Sequence, residues 1–424
     1  MGKRIVLVGA GSAMFGLGAL GDIFKSKPLE GSTVVLHDIN EAALDSVRDL
    51  AERFISDNGL AYSIEATTSR KEALQGADFC IISIEVGDRY ALWEQDWKIP
   101  MQYGIPQVYG ENGGPGGIFH SLRIVPPILA ICEDIADICP DCHVINLSNP
   151  MSIICLAIKK RFKDLTVTGV CHEVASLVEH LPKLLDTDLS NLSIKAGGLN
   201  HFSILVEAKY KDTGKDAYPD IRKKALGYYE NLPERGLFRE FVRIYNCLPN
   251  TTDSHFGEYI QWAQEVVDHK GILDFYNDYV EECTERKDLY ARLKNGTMPE
   301  EYWRVVPVME GIITNSGHEE LALNIQNNGL IKCLPDNIIV EVPAIIDAAG
   351  VHGMELRSMP KGFEALLRNR VGVLELTTDA ILEGSKELVL QALLAEPVVH
   401  NLRNTERMLD AILEYQKEYL YYIK

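Results

Sequence analysis

Over residues 1–174, short continuous apolar runs alternate with segments of helical period. Arg4-Ile-Val-Leu-Val8, Thr33-Val-Val-Leu-His37 and Ala77-Asp-Phe-Cys-Ile-Ile-Ser83 are apolar at nearly every position, as strands covered on both faces require. Weaker strands are expected near Tyr62–Glu65, His143–Leu147 and Leu165–Val170. Helices are expected up to Lys25, to about Ser56, near Arg70–Leu74, over Ile118–Ile138 and to Phe162. This alternation predicts an α/β fold built on a doubly wound parallel sheet. From about Ala175 the rhythm changes. Strands at Leu192–Ile194 and Phe202–Glu207 give way to helical patterns from Ile221 to Trp303, a late strand at Ile338–Pro343, and closing helices over Phe363–Ala395 and Asn404–Tyr421. The reading is two joined domains: 1–174, the sheet, and 175–424, of α+β type.

Composition narrows the partners. The 424 residues carry a net charge of −19, which excludes the basic footprint that nucleic acid or an anionic membrane needs. Nine scattered cysteines do not form a disulfide framework. Cys139-Pro-Asp-Cys142 has no second pair to complete a zinc site and reads as a turn before a strand. No signal peptide and no apolar run of roughly 18–20 residues is evident, so a cytoplasmic protein is expected.

Candidate chemistry lies at strand ends. Gly9-Ala-Gly11-Ser12 follows the first strand and precedes a helix, the context in which glycines let a backbone approach a pyrophosphate. The third glycine of the usual fingerprint is replaced by Met14. Asp38 ends the second strand, where a carboxylate takes the adenosine ribose hydroxyls and disfavours a 2′-phosphate, so NAD is the expected cofactor. Asp38 is also a candidate N-cap. Tyr109–Gly117 is the glycine-richest stretch, either a sharp turn or a ligand approach. Asn149, after the His143–Leu147 strand, is placed to contact nicotinamide and a substrate hydroxyl, or to start a turn before Pro150. Cys171 adjoins His172, and His201 follows in Gly197-Gly-Leu-Asn-His201. A thiolate and an imidazole suit a divalent transition ion, though either alone is as readily a core residue. Asp253 and His255 stand in a polar break among the later helices, Asp253 also as a possible N-cap.

Taken together, the Gly-Ala-Gly-Ser loop, Asp38, Gly-Pro-Gly-Gly, Ser-Asn-Pro-Met, Cys-His-Glu-Val, Gly-Leu-Asn-His and Val-Glu-Val-Pro resemble glycoside hydrolase family 4 over nearly the whole chain. That resemblance implies a Rossmann domain followed by an α+β domain, as in lactate and malate dehydrogenases. It also implies NAD and a divalent metal, usually Mn²⁺, and a homodimer or homotetramer acting on a small carbohydrate. It makes Cys171 and His201 the metal ligands, and Gly9, Gly11, Ser12, Asp38 and Asn149 the cofactor contacts. Asn149 and His172 become substrate contacts, His172 the general acid, and Asp253 the base, with His255 as runner-up. The chemistry expected is oxidation at C3, loss of the C2 proton, elimination of the aglycone, water addition and re-reduction, with no net redox. Cys-His-Glu-Val departs from the pattern of members acting on phosphosugars. The motif order looks closest to α-galacturonidases, with α-glucosidase or α-galactosidase as alternatives, and a 2-hydroxy-acid dehydrogenase as the rival class.

Overall fold

The computed structural model describes residues 2–11, 16–292 and 305–424. The first half runs β1 (Arg4–Val8), α1 (Gly16–Lys25), β2 (Thr33–His37), α2 (Glu41–Asn58), β3 (Ser63–Thr67), α3 (Arg70–Ala73), β4 (Phe79–Ile82), α4 (Arg89–Gln102), α5 (Gly114–Ile138), β5 (His143–Asn146), α6 (Met151–Arg161), β6 (Thr166–Gly169) and α7 (Val174–Leu185). The strands are parallel, in the order β3-β2-β1-β4-β5-β6. This is the order of a Rossmann domain, whose ligand crevice opens beyond the carboxyl ends of β1 and β4, where the winding reverses. There the chain turns at Gly9, with φ +87°, and a Cβ would stand 2.0 Å from the Ser83 carbonyl oxygen. Only glycine lets the two strand ends approach so closely.

The second half continues the same sheet. It contains β7 (Leu192–Leu199), β8 (Phe202–Tyr210), α8 (Tyr218–Glu230), α9 (Gly236–Tyr245), β9 (Leu248–Pro249), α10 (Asp253–Gly257), α11 (His269–Arg292), α12 (Val306–Thr314), β10 (His318–Gln326), β11 (Ile339–Asp347), β12 (Gly350–Gly353), α13 (Lys361–Glu383), α14 (Lys386–Ala395) and α15 (Leu402–Tyr415). β10 joins β6 antiparallel through Asn324 and Gly169, and the sheet runs on as β11-β7-β8-β9, with β12 beside β11. The change from parallel to antiparallel therefore falls just after β6.

Several elements differ from the sequence reading, and two show why. The single helix expected over 363–395 is two, because Gly384 takes the left-handed conformation (φ 67°) and the Ser385 side chain accepts from the Leu388 amide to start α14. β10 was not anticipated: its His-Glu-Glu start reads as polar surface, yet Ala322, Leu323 and Asn324 are buried between β6 and β11. α5 is long and apolar enough to cross a membrane, but most of it is buried, packed against α4, α6 and α13. Its Arg123 is paired with Asp96 and reaches Gln416, all three buried.

Candidate active site

At the amino-terminal end of the crevice, Gly9 and Ala10 donate to the His37 carbonyl at 2.9 and 3.1 Å. Asp38, half-buried at the end of β2, accepts from the Gly11 amide at 2.8 Å and the Asn40 amide at 2.9 Å. Asp38 is not the cap of α2. That role belongs to Asn40, which accepts from Ala43. The aspartate instead ties the glycine turn to the neighbouring strand end. A Cβ on Gly11 would lie 2.9 Å from the Asp38 carboxylate, so the spacing is built around glycine. Ser12 lies outside the described residues.

The carboxyl ends of β4, β5 and β6 open onto a cleft of about 710 Å³. Ser148 clamps β5 to β4, accepting from the Ile84 amide and donating to its carbonyl. Next to it Asn149 lines the cleft, its side-chain Oδ1 accepting from the Met151 amide at 3.3 Å. Cys171 follows β6. His201 sits in the two-residue turn joining β7 to β8, at φ +61°, a left-handed position that aims the ring back at β6. The Cys171 Sγ and His201 Nε2 are 3.2 Å apart. Burial pushes the Cys171 thiol up, helped by Glu341 and Glu173, and pushes the His201 imidazole down.

Beneath this pair lies Glu341 of β11, buried, accepting from Asn200 and Ser203 at 2.9 Å each and Asn324 at 3.3 Å. The network explains why polar residues occupy central strands: each bonds a carboxylate that has no access to water.

A second layer of groups faces the pair. His255 of α10 stacks on His201, with ring centroids 4.4 Å apart and planes 25° apart. Its Nε2 lies 3.5 Å from Glu173 Oε1 and its Nδ1 3.8 Å from Glu111 Oε2. Burial opposes protonation of His255, but Glu173, Glu111 and Glu258 outweigh it and raise its pKa. Glu173 Oε1 also lies 3.5 Å from Nε2 of His172, whose side chain is 47% exposed at the cleft mouth. Arg89 bridges Glu85 and Glu111.

Asp253 is placed elsewhere. Its carboxylate, 2% exposed, accepts from the Leu237 amide at 2.7 Å and the Phe238 amide at 3.2 Å, which caps α9. Burial pushes its pKa up to about 7 against those two bonds. It does not line the cleft, whereas His255, two residues on, does. The structure thus brings together Asn149, Cys171, His172 and His201 from the sequence reading and leaves Asp253 outside. Sequence reasoning gave no role to Glu111, Arg89 or Glu173. Glu111 belongs to the glycine-rich loop, which folds back on itself so tightly that a Cβ on Gly116 would meet the Gly110 carbonyl at 2.2 Å.

A metal fits these residues. Glu173, His201 and His255 offer donor atoms all within 4.8 Å of one another, and the Cys171 sulfur stands beside His201. Glu173 Oε2, His201 Nδ1 and His255 Nδ1 are buried without a hydrogen-bond partner, a costly arrangement that an ion would relieve. The thiol, imidazole and carboxylate set suits a borderline divalent metal. Residues 4–187 match the model of the family 4 glycosyl hydrolases, and residues 196–399 that of their C-terminal domain. The chain belongs to glycosyl hydrolase family 4. It is therefore a glycosidase. An α-glucosidase of Erwinia rhapontici is 49% identical to this family 4 enzyme, with 100% of both chains covered. An α-galacturonidase of Bacillus subtilis (strain 168) is 28% identical over 93% of both. A solved 6-phospho-α-glucosidase from gut microorganisms, in complex with NAD and Mn²⁺, superposes with a TM-score of 0.83 at 21% identity, covering 98% of each chain.

Proposed function

We propose that this family 4 enzyme hydrolyses uncharged α-glucosides with NAD⁺ and a divalent metal such as Mn²⁺, by transient oxidation of the sugar. The observation that carries the reading is the Cys171–His201 contact at 3.2 Å in the cleft lined by Ser83 and Asn149, at the carboxyl edge of a Rossmann sheet. Cys171 and His201 would hold the metal, and His255, although its ring also lies within reach of an ion, would stay unligated to move a proton. Gly9, Gly11 and Asp38 would hold the adenosine end of NAD, and Asn149 would orient the sugar against its nicotinamide end. When bound, NAD⁺ supplies a reversible hydride acceptor for the C3 hydroxyl, and the metal supplies a Lewis acid that acidifies the adjacent C2 proton. The protein moves the protons. His255 takes the proton from C2, its ring held by Glu173 and Glu111 on either side. His172, exposed at the mouth, delivers a proton to the departing oxygen. Water then adds at C1. Asp253 holds the amino end of α9, which flanks the segment carrying His255.

An α-glucoside is favoured over the α-galacturonide expected from motif order. The 49% identity to an α-glucosidase against 28% to an α-galacturonidase points that way, and so does the charge of the cleft. Glu85, Glu111 and Glu173 line it, and Arg89, the one Lys or Arg among the described lining residues, is held by Glu85 and Glu111. A substrate carboxylate would find repulsion there and no unengaged guanidinium.

The test uses metal-stripped enzyme with the p-nitrophenyl α-glucoside, α-galactoside and α-galacturonide, with and without NAD⁺, Mn²⁺ and a reductant. Release from the glucoside that needs all three additions, with the galacturonide at least about a hundredfold slower, is expected. Preference for the galacturonide would restore the uronide reading, and steady NADH formation with a 2-hydroxy acid would restore the dehydrogenase.

A further inference from the structure

The cleft continues outward from the histidines as a run of rings. Tyr109 meets the edge of His255 at 5.4 Å, Phe275 lies 6.4 Å from Tyr109, and Tyr279 lies 6.4 Å beyond Phe275 with its plane only 24° away. Phe275 and Tyr279 stand four residues apart on α11, so they share one helix face. Phe275 is 52% exposed and, with Tyr279, lines the cleft, so its ring face is open to a bound molecule. Tyr279 is backed by the Arg89 guanidinium, 5.7 Å from its centroid, and Arg89 is itself anchored by two carboxylates. The inner end of the cleft is polar and ionisable. The outer end is flat, apolar and wet.

We propose that Phe275 and Tyr279 form the subsite for the leaving group, stacking on the apolar face of a second, uncharged sugar ring or of an aryl aglycone. This rests on the glucosidase reading above. A general acid must reach the oxygen that departs, and His172, at the exposed mouth, sets where that oxygen lies. The departing ring then extends away from Cys171 and His201, toward the side on which Phe275 is exposed. The electropositive C–H face of a pyranose complements the negative face of an aromatic ring, and a pair of rings with nearly parallel planes held by a helix is already ordered before binding. The acidic lining excludes an anionic leaving group from the same place. Binding energy gathered here, remote from C1, C2 and C3, is available to orient the reacting sugar.

The experiment compares methyl α-glucoside, p-nitrophenyl α-glucoside and an α-linked glucose disaccharide on the NAD- and Mn-loaded enzyme and its variants. Phe275→Ala should lower kcat/KM about tenfold for the aryl glucoside and the disaccharide, and less than about twofold for the methyl glucoside. Phe275→Trp should restore the loss, whereas Phe275→Leu, apolar without a face, should not. An equal loss on all three substrates, no loss on any, or full rescue by Leu overturns the subsite. Failure of the unmodified enzyme to cleave any of the three, with another glycoside cleaved instead, overturns the glucosidase reading itself.

Discussion

Asp38 and Asp253 make the same pair of bonds: each carboxylate accepts two backbone amides, Asp38 from Gly11 and Asn40, Asp253 from Leu237 and Phe238. Their surroundings make them different. Asp38 is half-buried at the open edge of the sheet, where a ligand can compete for its oxygens. Asp253 is sealed among α9, α10 and the rings above them, with a pKa pushed up to about 7 by burial. An aspartate accepting amides is thus a functional candidate only where solvent or ligand reaches it. The edge proposed for the nucleotide is made from consecutive strand ends, while the edge proposed for hydrolysis is assembled from β6, the β7–β8 turn and α10, which are distant in the chain.

That comparison is broken most sharply by exchanging the roles of two residues in one segment. His255→Asn should lower kcat about a hundredfold or more while melting close to the parent, as loss of a general base does. Asp253→Asn should do the opposite, losing about 1–2 kcal/mol of stability with the α9 cap while retaining most of its kcat. Hydrolysis assays beside urea unfolding decide the matter. A large kcat loss in Asp253→Asn without loss of stability would return the base role to Asp253.

An effect confined to acid pH sharpens the contrast at the opposite end of the strands. His143, buried at the start of β5 and bonded to the Thr168 hydroxyl at 2.9 Å, has its pKa lowered to about 4 by burial. Its unfolded value near 6.5 is higher, so between the two the unfolded chain binds more protons. Its contribution is fully present above about pH 6.5 and is lost as pH falls toward 4, by up to about 3 kcal/mol. Urea unfolding at neutral and acid pH should show His143→Gln less acid-sensitive than the parent. An unchanged acid slope would contradict the assignment.

How much was legible follows from the same contrast. The parallel strands, Gly9, Gly11 and Asp38 were readable because each motif is local: strand, turn and acidic residue follow in order. Cys171 and His201 were readable through their motifs, although their contact depends on a left-handed turn at His201. Glu111 and Arg89 were not. Their meaning comes from pairing across separate elements, and an isolated Glu in a glycine-rich loop carries no such signal. The placement of Asp253 was not readable because its partner amides lie 15 and 16 residues upstream, on a helix whose approach the sequence does not reveal. β10 was hidden because its buried Asn324 serves the Glu341 network and breaks the apolar pattern of a strand.

The most direct test of the central claim is hydrolysis of an α-glucoside in D₂O, with the position of deuterium in the released glucose read by NMR. Removal and return of the C2 proton by the protein predicts solvent deuterium at C2, formed only when NAD⁺ and Mn²⁺ are both present. Glucose released with protium retained at C2 throughout would contradict the account and point to direct displacement at C1.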